Sequence, residues 1–186
     1  GSAYQVVNAV GGFSMDGVIG WGRWSTGSCS TCNDGSQGTL ENFHYVAGIQ
    51  TSSADMTALG GLKADYALAG FTLPTSTGGI VGGRPSGTFS ADFLNSSVQL
   101  KLDVPINAGR VTFDASGSIS GSTFNGSGVT GEGFTGTFYG LFAGPKASYA
   151  GMGYKMPGGA VVSGDVMGVV VFKQTSTSPS VFVSPP

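Results

Sequence analysis

Few side chains in this sequence are equipped for chemistry, and those that stand out lie near its start. Cys29 and Cys32 stand three positions apart in TGSCSTCNDG. A C-x-x-C pair works as a redox centre where a strand meets a helix start that lowers a thiol pKa, or as half of a zinc site. Here Ser, Gly, Asn and Asp surround the pair, and the chain offers one histidine and no further cysteine. A local disulfide in a cysteine loop is the reading adopted. Free thiols stay open as the alternative, and metal or redox chemistry lacks its other ligands. The single histidine, His44 in ENFHYVAG, shares a strand face with Asn42 and Val46. It is able to ligate haem or act as a base, but no neighbouring Ser or Cys and no orienting carboxylate is marked, so a strand histidine bonded to backbone or solvent is the simpler account. In GWGRW, Trp21 and Arg23 share one face and Trp24 takes the other. Exposed Trp and Arg are enriched at interface hot spots, although core packing is the commoner fate of a tryptophan. Trp21, Arg23, Trp24, His44 and Tyr45 are the candidate partner-binding residues.

Catalytic signatures are missing. The serines form no G-x-S-x-G elbow. NDGSQG lacks the spaced acids of a calcium loop. Ten acidic residues are scattered, and a glycosidase pair would need two of them about 5 to 9.5 Å apart, which no motif announces. No catalytic, cofactor-binding or metal-binding residue is assigned, and the chain reads as a non-enzyme without a cofactor.

The elements that position these side chains are strands. Glycine makes up 34 of 186 residues and charged residues only 10%, a composition that disfavours helices and suits strands joined by tight turns. A net charge of −2 leaves no basic footprint for nucleic acid. The longest apolar run, VVVF, is far below the ~18 residues of a membrane helix, so no membrane insertion by this chain is expected. No basic stretch followed by an apolar run opens the sequence, so an export signal would lie upstream.

Period-two alternation recurs throughout. Val98, Leu100, Leu102 and Val104 share a face, as do Phe89, Ala91 and Phe93 before a turn at Asn95–Ser97. GRVTFDASGSISGSTFNGSGV reads as two strands around a turn at Ala115–Gly117. Phe134, Gly136, Phe138, Gly140 and Phe142 form one face, and Val162, Gly164, Val166, Gly168, Val170 and Phe172 another. Rings and glycines alternating on one face let the ring of one strand lie over the glycine of the next, the small–large pattern of a narrow, filled barrel. Earlier in the chain, two strands flank Ser14–Gly17, a third runs through LENFHYVAGIQ, and Ser53–Leu62 has room for two helical turns before Gly60 and Gly61 stop it.

GTFYGLFAGPKASYAGMGY followed by VSGDVMGVVVFK resembles the end of the eight-stranded barrel of transferrin-binding protein B and related bacterial surface lipoproteins. That motif runs Gly-x-Phe-Tyr-Gly-Pro, then small residues and an aromatic before a last strand. Gly136, Phe138, Tyr139, Gly140 and Gly144 fit it, as do Ala147, Gly151 and Tyr154, and LFA is inserted before Gly144 and Pro145. The resemblance implies an all-β fold: an antiparallel eight-stranded up-and-down barrel over 86–174 and a flanking handle-like sheet with the cysteine loop over 3–85, followed by a tail or linker, 175–186. It further implies an exported protein, at the cell surface, outer-membrane-associated or secreted, that meets a protein partner through loops. A haem or small apolar ligand carrier and a structural domain of a larger envelope protein are the alternatives, and the filled interior weakens the carrier.

Overall fold

The computed structural model describes residues 4–32 and 36–182, with side chains described over 11–27 and 41–182. Three antiparallel strands come first, β1 (Tyr4–Phe13), β2 (Ile19–Cys32) and β3 (Ser36–Gly48), paired in that order. Ser14 and Gly17 make the first turn, as their types require. The Ser14 hydroxyl accepts from the Val18 and Ile19 amides at 3.0 and 3.1 Å, and Gly17 takes the positive φ, 71°, that a β-carbon resists. The expected cysteine loop is strand instead. β2 continues through both cysteines, with Cys29 opposite Gly38 and Cys32 opposite Ser36, because Ser and Thr between them fit a ladder as readily as a loop. The expected disulfide falls on side chains outside the described residues.

Helix α1 (Ser53–Ala58) is shorter than its span suggests, and its cap is Ser52, one residue ahead of the expected start, accepting from the Asp55 amide at 3.1 Å. Then follow β4 (Leu62–Phe71), a two-residue β5 (Thr75–Ser76), β6 (Ser86–Asp92), β7 (Ser97–Ile106), β8 (Gly109–Ser120), β9 (Thr123–Thr130), β10 (Thr135–Ala143), a 3-10 turn at Pro145–Ala147, β11 (Tyr149–Pro157) and β12 (Asp165–Pro179). Strands β6 to β12 pair sequentially and antiparallel, and β4 joins β6 to β12 and closes an eight-stranded barrel. The barrel thus begins at Leu62, ahead of the Ser86 start expected from sequence. Its last strand pairs with β4 as far as Pro179, into the segment expected as tail. The turn expected at Ala115–Gly117 is also strand. β8 runs through it and reverses at Gly121, φ 58°. Gly117 serves a different need, since a β-carbon there would strike the backbone of Asn125 and Gly126 on β9.

Inward residues follow the alternation. Val98, Leu100, Leu102 and Val104 are buried, and so are Phe89, Phe113, Phe124, Phe138, Phe142 and Phe172. Each large side chain buried this way contributes about 1.5–3 kcal/mol. Rings lie over neighbouring glycines as the spacing anticipates: Phe124 covers Gly140, Tyr154 covers Gly168, and Phe138 covers Gly126. Phe134 departs from the pattern and is 45% exposed, because it precedes β10 in the turn where its carbonyl accepts from the Thr130 amide. A second apolar cluster lies outside the barrel, where Val169 and Val171 of β12 with Ala143 and Tyr149 meet Ile19, Trp21 and Val46 of the handle. β12 is therefore buried on both faces there, which is why VVVF has no polar alternation.

Candidate functional site

The handle sheet has two unlike faces, set by the parity of β2 and β3. Towards the barrel point Ile19, Trp21, Arg23, His44 and Val46. The Trp21 ring lies over Gly70 of β4 and Gly12 of β1, and Val46 with Ile19 covers Gly151 of β11. Glycine at these positions lets the two sheets approach at ring thickness. His44 is held from both sides, with Nδ1 2.7 Å from the Thr72 hydroxyl and Nε2 2.8 Å from that of Thr75. Whichever nitrogen carries the proton donates to one threonine, and the other accepts from the second. The Thr72 oxygen also accepts from the Val169 amide of β12 at 2.9 Å, so the imidazole is tied through it to the barrel wall. Burial, and then the charge of Arg23, lower the His44 pKa to about 4. It is neutral at pH 7, with neither nitrogen free for a metal. Arg23 stands opposite it on β2, and its Nη1 is buried without a hydrogen-bond partner among the described residues.

Away from the barrel point Gly20, Gly22, Trp24, Phe43 and Tyr45. The Tyr45 ring lies over Gly22, and Trp24 packs against Phe43 and Tyr45 with ring centroids 5.4 Å apart in each pair. Phe43 is 43% exposed and Phe13, opposite Gly20 on β1, is 78% exposed. Trp24 and Tyr45 behind them are half-buried. The five sequence candidates, all half-buried, are thereby divided by sheet face: Trp24 and Tyr45 lie on the side away from the barrel, while Trp21, Arg23 and His44 face it. Phe13 and Phe43 were not singled out. Aligning GWGRW antiparallel to FHY would have found Phe43, since it pairs directly with Trp24.

Below the handle, Asp16 accepts from the Tyr149 hydroxyl at 3.1 Å, which joins the β1–β2 turn to β11. No three His, Cys, Asp or Glu side chains among the described residues gather as a metal site, and no described helix is long and apolar enough to cross a membrane.

No protein-family model and no curated protein matches the chain. Solved structures do match. A double mutant of the vaccine antigen transferrin binding protein B from Haemophilus parasuis Hp5 superposes with TM-score 0.58 at 18% identity, over 96% of this chain and 38% of that one. Isotype 1 of the same protein from serogroup B Neisseria meningitidis gives 0.52 at 15% identity, over 92% and 36%. The fold is similar to that of transferrin binding protein B. The chain spans 38% of the first of those structures, and the likeness at this identity concerns the fold.

Proposed function

We propose that the chain is a noncatalytic binding module of an exported bacterial surface protein, and that it recognises a protein partner through the outer face of its handle and the adjoining loops. The observation that carries this reading is the aromatic cluster of Trp24, Phe43 and Tyr45, with Phe43 and nearby Phe13 exposed, on the face of the handle turned away from the barrel. Aromatic rings on a rigid sheet supply contact area at small entropic cost, and such clusters anchor interfaces. The barrel supports the handle, and its interior is packed with phenylalanines, which weighs against an enclosed ligand. His44, the one histidine, has both nitrogens bonded to threonines, which leaves a haem carrier only a tyrosine as its contact.

A photo-crosslinking residue placed at Trp24 or Tyr45, and at outward Ser127 of β9 as control, tests the reading on live cells of the source or its host and, in a separate arm, on transferrin. Specific adducts from the handle positions alone are expected. Equal adducts from Ser127, or none from the handle, would reject it. A Cys29–Cys32 disulfide belongs to the same reading, and it depends on the ladder irregularity between the two cysteines to bring them together, since a regular strand holds residues three apart about 10 Å from each other. Intact mass after alkylation without reductant should show no added label.

A further inference from the structure

Strand glycines in this molecule follow a rule: each is covered. Leaving aside Gly27, a β-carbon built on the glycines of the strand segments 11–26 and 41–182 would come within 3.0 Å of a neighbouring atom at every position but two, Gly20 and Gly153. A ring is among the covering groups at Gly12, Gly22, Gly70, Gly126, Gly136, Gly140 and Gly168, and backbone or an aliphatic side chain covers the others. Gly20 lies on the open outer face of the handle. Gly153 is different, because it belongs to β11 on the outside of the barrel and forms part of a groove of about 450 Å³ between the barrel wall and the edge of β3. The nearest atom to its β-carbon position is the Gly168 carbonyl oxygen at 3.9 Å.

The groove around it has the character of the molecule's own ring sites. Phe43 stands at the handle lip, Tyr139 of β10 is 66% exposed on the opposite side, and Met167 of β12 supplies a thioether. Four consecutive residues of β3, Glu41 to His44, line it. Side chains alternate along a strand, so an unbroken run means that the backbone edge itself forms the wall. The two charges at the rim are unequal in their freedom. Lys155 is paired with Asp165 at 2.9 Å, whereas Glu41 belongs to none of the ion pairs among the described residues.

The geometry points to the Gly153 groove as a docking site for a protein partner's aromatic side chain that is accompanied by a basic group, the ring lying on Gly153 between Phe43 and Tyr139 and the cation meeting Glu41. Ring over glycine is the contact that this fold repeats inside itself, and the uncompensated carboxylate at the lip selects the charge beside the ring. The assignment rests on the binding reading given above, and its groove adjoins the Trp24 and Tyr45 cluster through Phe43, which belongs to both, while Tyr139, Gly153 and Met167 belong to the groove alone.

Tryptamine is the probe, an aromatic ring carrying one ammonium, followed by amide and methyl shifts in NMR titration. Saturable shifts at Phe43, Tyr139, Gly153 and Met167 are expected, and indole-3-acetate, with the opposite charge, should bind more weakly. Gly153→Val has space for its side chain, so it should keep the native spectrum and melting temperature while binding falls about tenfold. Tyr139→Ala is a second variant on an exposed residue and should weaken binding as well. Glu41→Gln should erase the preference for tryptamine over indole-3-acetate. Unchanged binding in both Gly153→Val and Tyr139→Ala, or shifts confined to Trp24 and Phe13, overturns the assignment. So do shifts at Gly153 that appear on concentrating the protein alone, which would make a second copy the occupant. Failure here leaves crosslinking from Trp24 and Tyr45 untouched, and failure of that crosslinking leaves this titration untouched.

Discussion

The barrel interior and the outer face of the handle are built from the same pair, an aromatic ring laid over a glycine on the neighbouring strand. Inside the barrel the pair is surrounded: Phe124 covers Gly140 and in turn packs against Phe142 at 4.8 Å and Phe89 at 5.1 Å. On the handle the pair is covered in part, with Tyr45 over Gly22 beside half-buried Trp24. One local contact thus does two jobs, and the third layer decides which. Where other rings supply that layer the pair is core, and where the layer is partial, as on the handle, the pair is the patch proposed above to meet a partner.

The largest effect that would expose this difference is loss of a central ring. Phe142 is fully buried and touches Tyr66, Phe89, Phe93 and Phe124. Phe142→Ala should cost about 3–5 kcal/mol, read as a drop in the denaturant midpoint, because closed barrel walls collapse little around a cavity. A loss under about 1 kcal/mol would mean that the interior is loosely packed, and the contrast with the handle would fail.

Acid is the next largest lever, and it acts between the two regions. His44 is neutral in the folded protein down to about pH 4, against an ordinary value of 6.5. Between those values the unfolded chain takes up a proton that the folded chain refuses, so stability is greatest above pH 6.5 and falls as pH drops towards 4. The whole loss is at most about 3 kcal/mol, less whatever solvent screening removes at a half-buried site. His44→Gln should flatten stability over this window, although carboxylates such as Asp92, held down at about 2 by its bonds to Asn95, Ser180 and Lys63 against the opposing effect of burial, still titrate below it. Hydrogen exchange in β3 should quicken on acidification before exchange in β7 does. Simultaneous opening would mean that the imidazole does not govern the junction.

Much of this was legible in the residues. Alternation in SVQLKLDV, TGTFYGLFA and VMGVVVF reports which side chains enter the barrel, because every second residue of a half-buried strand must be apolar. It also reports the ring-over-glycine pairing. Partnership is harder. β4 pairs with β12 about a hundred residues later, and a period of two records a face without naming the neighbour across the ladder. Small residues mislead for a related reason. Ser, Gly and Ala at 115–118 look like a turn, yet they are thin so that β8 and β9 can cross closely. For the site, parity separated Trp21 and Arg23 from Trp24, but which of the two faces would meet the barrel depended on docking that no local pattern encodes.

A smaller effect comes from comparing glycines. Gly140→Val would drive a branched side chain into the Phe124 ring and should cost about 1–3 kcal/mol. Gly153→Val faces an open groove and should be neutral or slightly stabilising, since valine suits a strand better than glycine. Thermal melts of the two variants side by side check the rule that ring cover is what excludes a β-carbon. Equal destabilisation would show that backbone coiling, present at both positions, is the stronger demand.

The smallest change in stability should accompany the largest change in proposed function. Trp24 is half-buried on the outer face of the handle, against Phe43 and Tyr45. Trp24→Ala removes two ring contacts worth about 0.5–1.5 kcal/mol each, partly regained as the neighbouring rings relax into the space, so the melting point should move by only a few degrees for about 1 kcal/mol. Photo-adducts formed from Tyr45 should nevertheless disappear, because a flat patch that loses its central ring no longer excludes water from the contact. If instead Trp24→Ala unfolds the handle while Trp21→Ala does not, then the outer rings hold the sheet together and the inner ones do not. The two faces of the handle would then have exchanged the roles given to them by their burial.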